Sequence, residues 1–481
     1  MSAPFSRLLL AAAVLAAMVP LSGAGQPLAA TDWARFRGPN GTGVSDATGI
    51  PVEFGPEKNL RWRLALPPGH SSPIVWKDRI YLTAARGSTL LAVAIDRERG
   101  RVIWERDAPA PATPPVDKRN HPASPSPAVE DGGIYVFFPD FGLIAYDDEG
   151  GERWRMPLGP FNNIYGMGAS PIIVGDLVVL VCDQSLGSFI MAVDKRTGLE
   201  RWRTARPEAK SGHSTPVLWT SPEGEEQILV PGSFLLTAYA ARTGERRWWV
   251  RGLSFEMKST PPMADGVIFV NGYGAPQNDP GNKVVVPSAD EIWRTADLDR
   301  NGLLSRAELP PRAPRFWFDV GDLDHSGELT REEYEYYRAA LDSENGMLAI
   351  RLGGSGDMTE QSVLWKYQRS VPQLPSPIVY GGVLYMVNDT GIVTTFDPKT
   401  GGVIRQGRFT GALGDYYASP VAADGHLFFT SLRGVVSVLR PDGSLDALHY
   451  NDLAEDTYAT PAFADGTIYV RTVEALYAFG R

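Results

Sequence analysis

Two twelve-residue stretches, DLDRNGLLSRAE (297–308) and DLDHSGELTREE (322–333), space oxygen-bearing side chains so that each could wrap one hard cation. In the first, Asp297, Asp299 and Asn301 stand at positions 1, 3 and 5, Gly302 makes the turn at 6 and Leu303 offers its carbonyl at 7. Ser305 stands at 9, and Glu308 at 12 can bind through both oxygens. The second repeats the pattern with Asp322, Asp324, Ser326, Gly327, the Glu328 carbonyl, Thr330 and Glu333. Two complete matches in tandem point to two Ca²⁺ sites rather than to solvated acidic turns, and Leu304 and Leu329 predict a short strand contact between them.

The elements around an EF-hand pair should be helices. REEYEYYRAALDSE supplies one after the second loop, whereas Pro310 and Pro311 cut short any helix leaving the first. Such a compact pair suits a constitutively loaded structural module more than a sensor that opens widely. Residues 287–345 hold 14 acidic and 7 basic side chains, so most of the net charge of −10 is local to this segment. Nothing in the charge pattern suggests nucleic-acid binding.

The surrounding chain has a different grammar. A Ser/Thr-Pro, an apolar strand, an Asp/Gly turn, two further strands and often a Trp recur eight times, with the prolines at 73, 127, 171, 216, 261, 377, 420 and 461. Successive prolines lie 41–54 residues apart except for one gap of 116, which contains both calcium loops. Short strands at this period without intervening helices predict an all-β, eight-bladed β-propeller with a small α-helical insertion in blade five. The expected division is 31–271 and 347–481 for the propeller and 272–346 for the insertion. The last copy lacks its Trp strand, and an orphan NLRWRLALP precedes the first copy, so the N-terminal segment should close the ring and remove its exposed edges. The recurring Trp62, Trp104, Trp154, Trp202, Trp248 and Trp365 should fill the wedges between blades.

Asp194, Thr197, Gly198 and Trp202 in D-x-x-T-G-x-x-x-W, with D-P-K-T-G at 397–401, resemble the pyrroloquinoline-quinone-like propeller family. That family includes quinoprotein alcohol dehydrogenases and BamB-type outer-membrane assembly scaffolds, and the opening WARFRGPNGTGVS resembles the leader of its exported members. Residues 1–30, with Arg7 before an apolar run ending at Val19, read as a signal peptide, so the mature chain should be exported, periplasmic or secreted, without a transmembrane segment. The single cysteine, Cys182, excludes internal disulfides and reads as a buried small hydrophobe.

Three residues before each motif proline lie His70, Ser124, Gly168, His213, Lys258, Leu374, Tyr417 and Tyr458, ringing one mouth of the central channel beside the insertion. His70, His213, Lys258, Tyr417 and Tyr458 could form a ligand pocket or a peptide-binding rim, or be ordinary loop residues satisfied locally. No catalytic residue is assigned: hydrolase, phosphate-loop and dinucleotide motifs are missing, and one cysteine precludes the vicinal disulfide that the family resemblance would lead one to seek beside a bound quinone. The quinone is therefore not expected as a cofactor, whereas two Ca²⁺ are. The reading is a noncatalytic scaffold for protein or peptide partners in the cell envelope; the alternative is a quinone-dependent oxidoreductase with an altered pocket.

Overall fold

Each Ser/Thr-Pro opens a short inner strand, a place where proline is tolerated because strand starts need no ladder N–H. The computed structural model describes residues 33–109, 116–309 and 316–481; the leader read at 1–30 and the Pro310–Pro311 pair lie outside the described residues. Blade one comprises Ile74–Trp76, Arg79–Arg86, Thr89–Asp96 and Arg101–Ala108. Seven further antiparallel sheets follow, giving an eight-bladed β-propeller. Blade eight is composite: Ala462–Ala464, Thr467–Arg471 and Ala475–Gly480 take Leu60–Ala65 as outer strand, with Ala65 opposite Ala475 and Leu60 opposite Phe479. Middle strands are buried on both faces, as in Leu177–Cys182, which places Cys182 inside blade three; burial pushes its thiol up.

The Trp residues do more than fill wedges. The indole N–H groups of Trp62, Trp104, Trp154, Trp202 and Trp365 each donate to a turn carbonyl of the next blade at 3.0–3.1 Å. Their rings lie against the turn glycine there. At Gly198, φ is +72° and an added Cβ would sit 2.6 Å from the Trp154 ring. Asp194 holds the same turn by accepting from the Thr197 N–H and hydroxyl, so D-x-x-T-G-x-x-x-W receives one Trp and passes on another.

A second link runs nearer the axis. The backbone N–H of Ser72 donates to the Ser126 hydroxyl, Ser126 to Ser170, and Ser170 to Thr215. Thr260 donates to Ser376, Ser376 to Ser419, Ser419 to Thr460, and Thr460 back to Ser72, all at 2.9–3.1 Å. The circuit is interrupted between Thr215 and Thr260, whose hydroxyl is buried without a partner among the described residues. The same seam lacks the Trp link: Trp248 instead donates to Gln227 Oε1 within its own blade, and Gly356–Asp357 crosses from blade five to run parallel to Arg246–Arg251 as a fifth strand.

Blade five is also where the chain departs, leaving after Gly272 and returning at Gly346. The interval carries α1 (Ala289–Ala296), α2 (Phe316–Gly321) and α3 (Arg331–Asp342). Ser288 caps α1, and Thr330 with Glu333 forms a capping box on α3. Leu304 and Leu329 face each other in a two-stranded ribbon.

The segment from Trp33 to Val44 closes one end of the channel just beneath the hydroxyl circuit. Trp33 pairs with Val75, and Ala34 accepts from the Val129 N–H. Arg35 donates to the Pro216 carbonyl, Asn40 clasps Leu218 through both backbone groups, and Val44 bridges Ala422. Arg37 is fully buried, and its guanidinium donates to the carbonyls of Gly41, Thr42, Pro377 and Pro420; burial lowers its pKa to about 9.

Replacing Ser419 by Ala leaves the buried Ser376 N–H without its acceptor, a cost of about 1–3 kcal/mol. Denaturant unfolding should show a lower midpoint at an unchanged m-value. An unaltered midpoint would show that the circuit carries no stability.

Candidate functional site: the channel cavity and the acidic loops

All eight residues three places before the motif prolines line one cavity of about 180 Å³, because a shared register sets them at one height on the channel wall. His70, His213, Lys258, Tyr417 and Tyr458 are thereby brought together. Six of the eight hydroxyl-bearing residues of the circuit line it below them, and Phe36 of the closing segment contributes to its floor.

The wall also contains groups that the register did not reveal. Arg119 forms a bidentate pair with Asp117 at 2.7 and 3.0 Å and donates to Gln373 Oε1 at 3.0 Å. Gln373 Nε2 reaches Glu256 Oε2 at 3.4 Å, and Glu256 pairs with Lys258, both side chains being largely buried. Asp117, Arg119, Gln373, Glu256 and Lys258 thus form one continuous polar band. The Tyr165 ring lies between its two cations, 5.1 Å from Lys258 Nζ and 5.7 Å from the Arg119 guanidinium. Asp389 accepts from the Gln373 and Leu374 N–H groups, although burial raises its pKa. One signal was available for the Asp117–Asn120 loop: the first proline gap is 54 residues, against 41–45 for the others outside the insertion.

The histidines are held neutral. Burial, reinforced by His121 and Arg471, lowers His70 to about 3. Burial and then Lys258 lower His213 to about 3, and burial lowers His121 to about 4. The His70 ring stacks on Tyr458 at 3.9 Å and 6°, and Tyr417 approaches Tyr458 at 5.6 Å.

In the inserted segment, carboxylate oxygens of Asp297, Asp299 and Glu308 lie within 4.8 Å of one another, as do those of Asp322, Asp324 and Glu333; either group could bind a metal ion. Glu308 and Glu333 are oriented alike. One oxygen accepts from Leu298 N or Leu323 N, the other from the N–H and hydroxyl of Ser305 or Thr330. Gly302 and Gly327 adopt φ of +84° and +86° with open space around them. Asn301 donates to Glu328 and Ser326 to the Glu328 carbonyl, while the Leu303 N–H donates to Asn301 Oδ1.

The second loop touches the propeller. Asn162 donates to the Leu323 carbonyl at 2.9 Å, and its oxygen lies 2.8 Å from His325 Nε2. Tyr336 of α3 packs edge-on against Phe234, and the apolar core of the inserted segment extends onto Ile164 and Phe255. Asn162 and Ile164 belong to the same loop as Tyr165, so the insertion stands directly behind one wall of the cavity.

A family model described as outer membrane protein assembly factor BamB matches residues 55–189, 187–304 and 320–481. No curated protein matches significantly. Among solved structures, BamB from Moraxella catarrhalis superposes with a TM-score of 0.52 at 12% identity, covering 86% of this chain and 100% of that one. A europium-containing methanol dehydrogenase gives 0.54 at 13%, covering 92% and 90%, and the computationally designed Ika8 protein 0.52 at 10%, covering 87% and 99%. At these identities the likeness is one of fold.

A histidine held near 3 in the folded chain but near 6.5 when unfolded takes up its proton preferentially in the unfolded state as pH falls from about 6.5. Stability from this source is complete above 6.5 and declines toward 3. His213→Gln should therefore lose stability less steeply than the parent between pH 6.5 and 4 in denaturant titrations. Parallel curves would show that His213 charges normally.

Proposed function

The chain belongs to the family described as outer membrane protein assembly factor BamB, and from that premise we propose that it is an exported, noncatalytic, calcium-loaded scaffold for protein or peptide partners in the cell envelope. In this reading the inserted EF-hand pair, 272–346, holds one Ca²⁺ in each loop. Asp297, Asp299, Asn301, the Leu303 carbonyl, Ser305 and Glu308 serve the first; Asp322, Asp324, Ser326, the Glu328 carbonyl, Thr330 and Glu333 serve the second. Asp297 Oδ1 carries the argument. It is buried without a donor among the described residues, amid converging carboxylates. A buried carboxylate oxygen left so is costly unless a cation completes it. Partners would engage the rim formed by His70, His213, Lys258, Tyr417 and Tyr458, with the insertion as a stiff platform beside it. No described helix is long and apolar enough to cross a membrane.

A quinone-dependent oxidoreductase is the other reading that the family resemblance admits. The residues lining the cavity do not fit that cofactor: an anionic quinone needs unpaired cations, and the two cations on the cavity wall, Arg119 and Lys258, are already matched by carboxylates. Cys182, the only cysteine, lies within blade three and not on the cavity.

Calorimetric titration of chelator-treated protein should give two Ca²⁺ per chain. Glu308→Gln and Glu333→Gln should each remove one, and melting should rise with calcium by mass action. A parent protein that binds none would end the calcium reading. A calcium-loaded chain that captures no envelope protein, even by crosslinking at the rim, would end the scaffold reading.

A further inference from the structure

The cavity itself has a chemistry that a protein partner would leave unused. Resting on the rim reading, we propose that it binds one uncharged polyhydroxylated ring: a free sugar or cyclic polyol, or the terminal unit of a saccharide chain.

The cavity wall is balanced in charge. Arg119 is bidentate on Asp117 and Lys258 is paired with Glu256, with Gln373 joining the two pairs. The cavity histidines are neutral at ordinary pH. A ligand with net charge would leave water without gaining a counter-ion, whereas an uncharged ligand suffers no such cost.

Ser72, Ser170, Thr215, Ser376, Ser419 and Thr460 line the cavity. Each accepts a backbone N–H from a neighbouring blade, and none donates to an acceptor among the described residues. Each therefore offers a proton and a remaining lone pair, the donor-acceptor pattern that a sugar hydroxyl itself presents. His213 adds a buried Nε2 with no partner among the described residues, able to donate or accept according to tautomer.

His70, Tyr458 and Tyr417, the first two stacked at 3.9 Å, make one side of the cavity aromatic, a surface for the C–H groups of a saturated ring. The cavity of about 180 Å³ is large enough to admit one such ring. Closure beneath by Phe36 and its segment makes the site blind, so a chain could enter only by its end.

The test is calorimetric titration of the full calcium-loaded chain with glucose, galactose, N-acetylglucosamine, their methyl glycosides and myo-inositol, with gluconate as charged counterpart. At least one neutral ring should bind with Kd at or below about 1 mM and with little dependence on salt. Tyr458→Ala should weaken it about five- to tenfold, with circular dichroism and calcium stoichiometry checking the fold; His213→Leu serves if that variant does not fold. A disaccharide with matching non-reducing end that binds as well as the methyl glycoside identifies a chain end; binding of the monosaccharide alone identifies a free sugar. Tighter, salt-sensitive binding of gluconate, or no binding by any neutral ring, overturns the proposal. If rim variants still abolish capture of an envelope protein while no sugar binds, the rim reading survives and only this inference fails.

Discussion

The structure depends on a hydrogen bond made between blades rather than within them. In each repeat but one, the residue before the motif proline donates its backbone N–H to the hydroxyl of its counterpart in the next blade, and the last donates to the first. A sheet can satisfy its ladder internally, but the N–H at the start of an inner strand, facing a narrow channel, has no strand partner. A serine or threonine hydroxyl at the matching height supplies one. The requirement explains why the residue before proline is always Ser or Thr, and the resulting common height places eight successive residues on one rim. Further out, the Trp-to-turn links repeat the principle with an indole donor and a glycine that leaves room for the ring.

Cavity and insertion share a wall. The loop that carries Tyr165 into the cavity is gripped from behind by Asn162, which binds the second acidic loop through both ends of its amide. Tyr336, three residues beyond the last ligand-type glutamate of that loop, lies against Phe234. The blade from which the chain departs is also the one whose junction with blade four lacks the regular links. There the hydroxyl circuit is interrupted, Trp248 turns to Gln227, and a strand from blade five covers the edge.

The propeller, its eightfold count and its closure by the strand containing Trp62 are legible in the sequence because repetition averages out the ambiguity of any one short apolar run. Rim positions are legible for the same reason, since a register counted from proline is a height on the channel. What repetition cannot reveal is anything that occurs once. Arg119 and Asp117 sit in a connection with no counterpart in other blades, and Gln373 joins the polar band only because three connections converge. The segment beginning at Trp33 reads as a leader, yet Arg37 lies in the channel among backbone carbonyls of its own segment and of the distant Pro377 and Pro420.

The first described residues and the last strands meet twice, once where 33–44 spans the channel and once where Leu60–Ala65 completes the blade containing Ala475–Gly480. Blades one to seven can each assemble from contiguous chain. In the eighth, Leu60–Ala65 must wait for partners made more than 400 residues later, as in the Arg61–Thr467 contact, 406 positions apart. Until the final strands are synthesised the molecule is an open arc with an unpaired edge at each end and no enclosed chamber. A chain cut short before blade eight would therefore forfeit the cavity altogether, including those of its walls that had already been built.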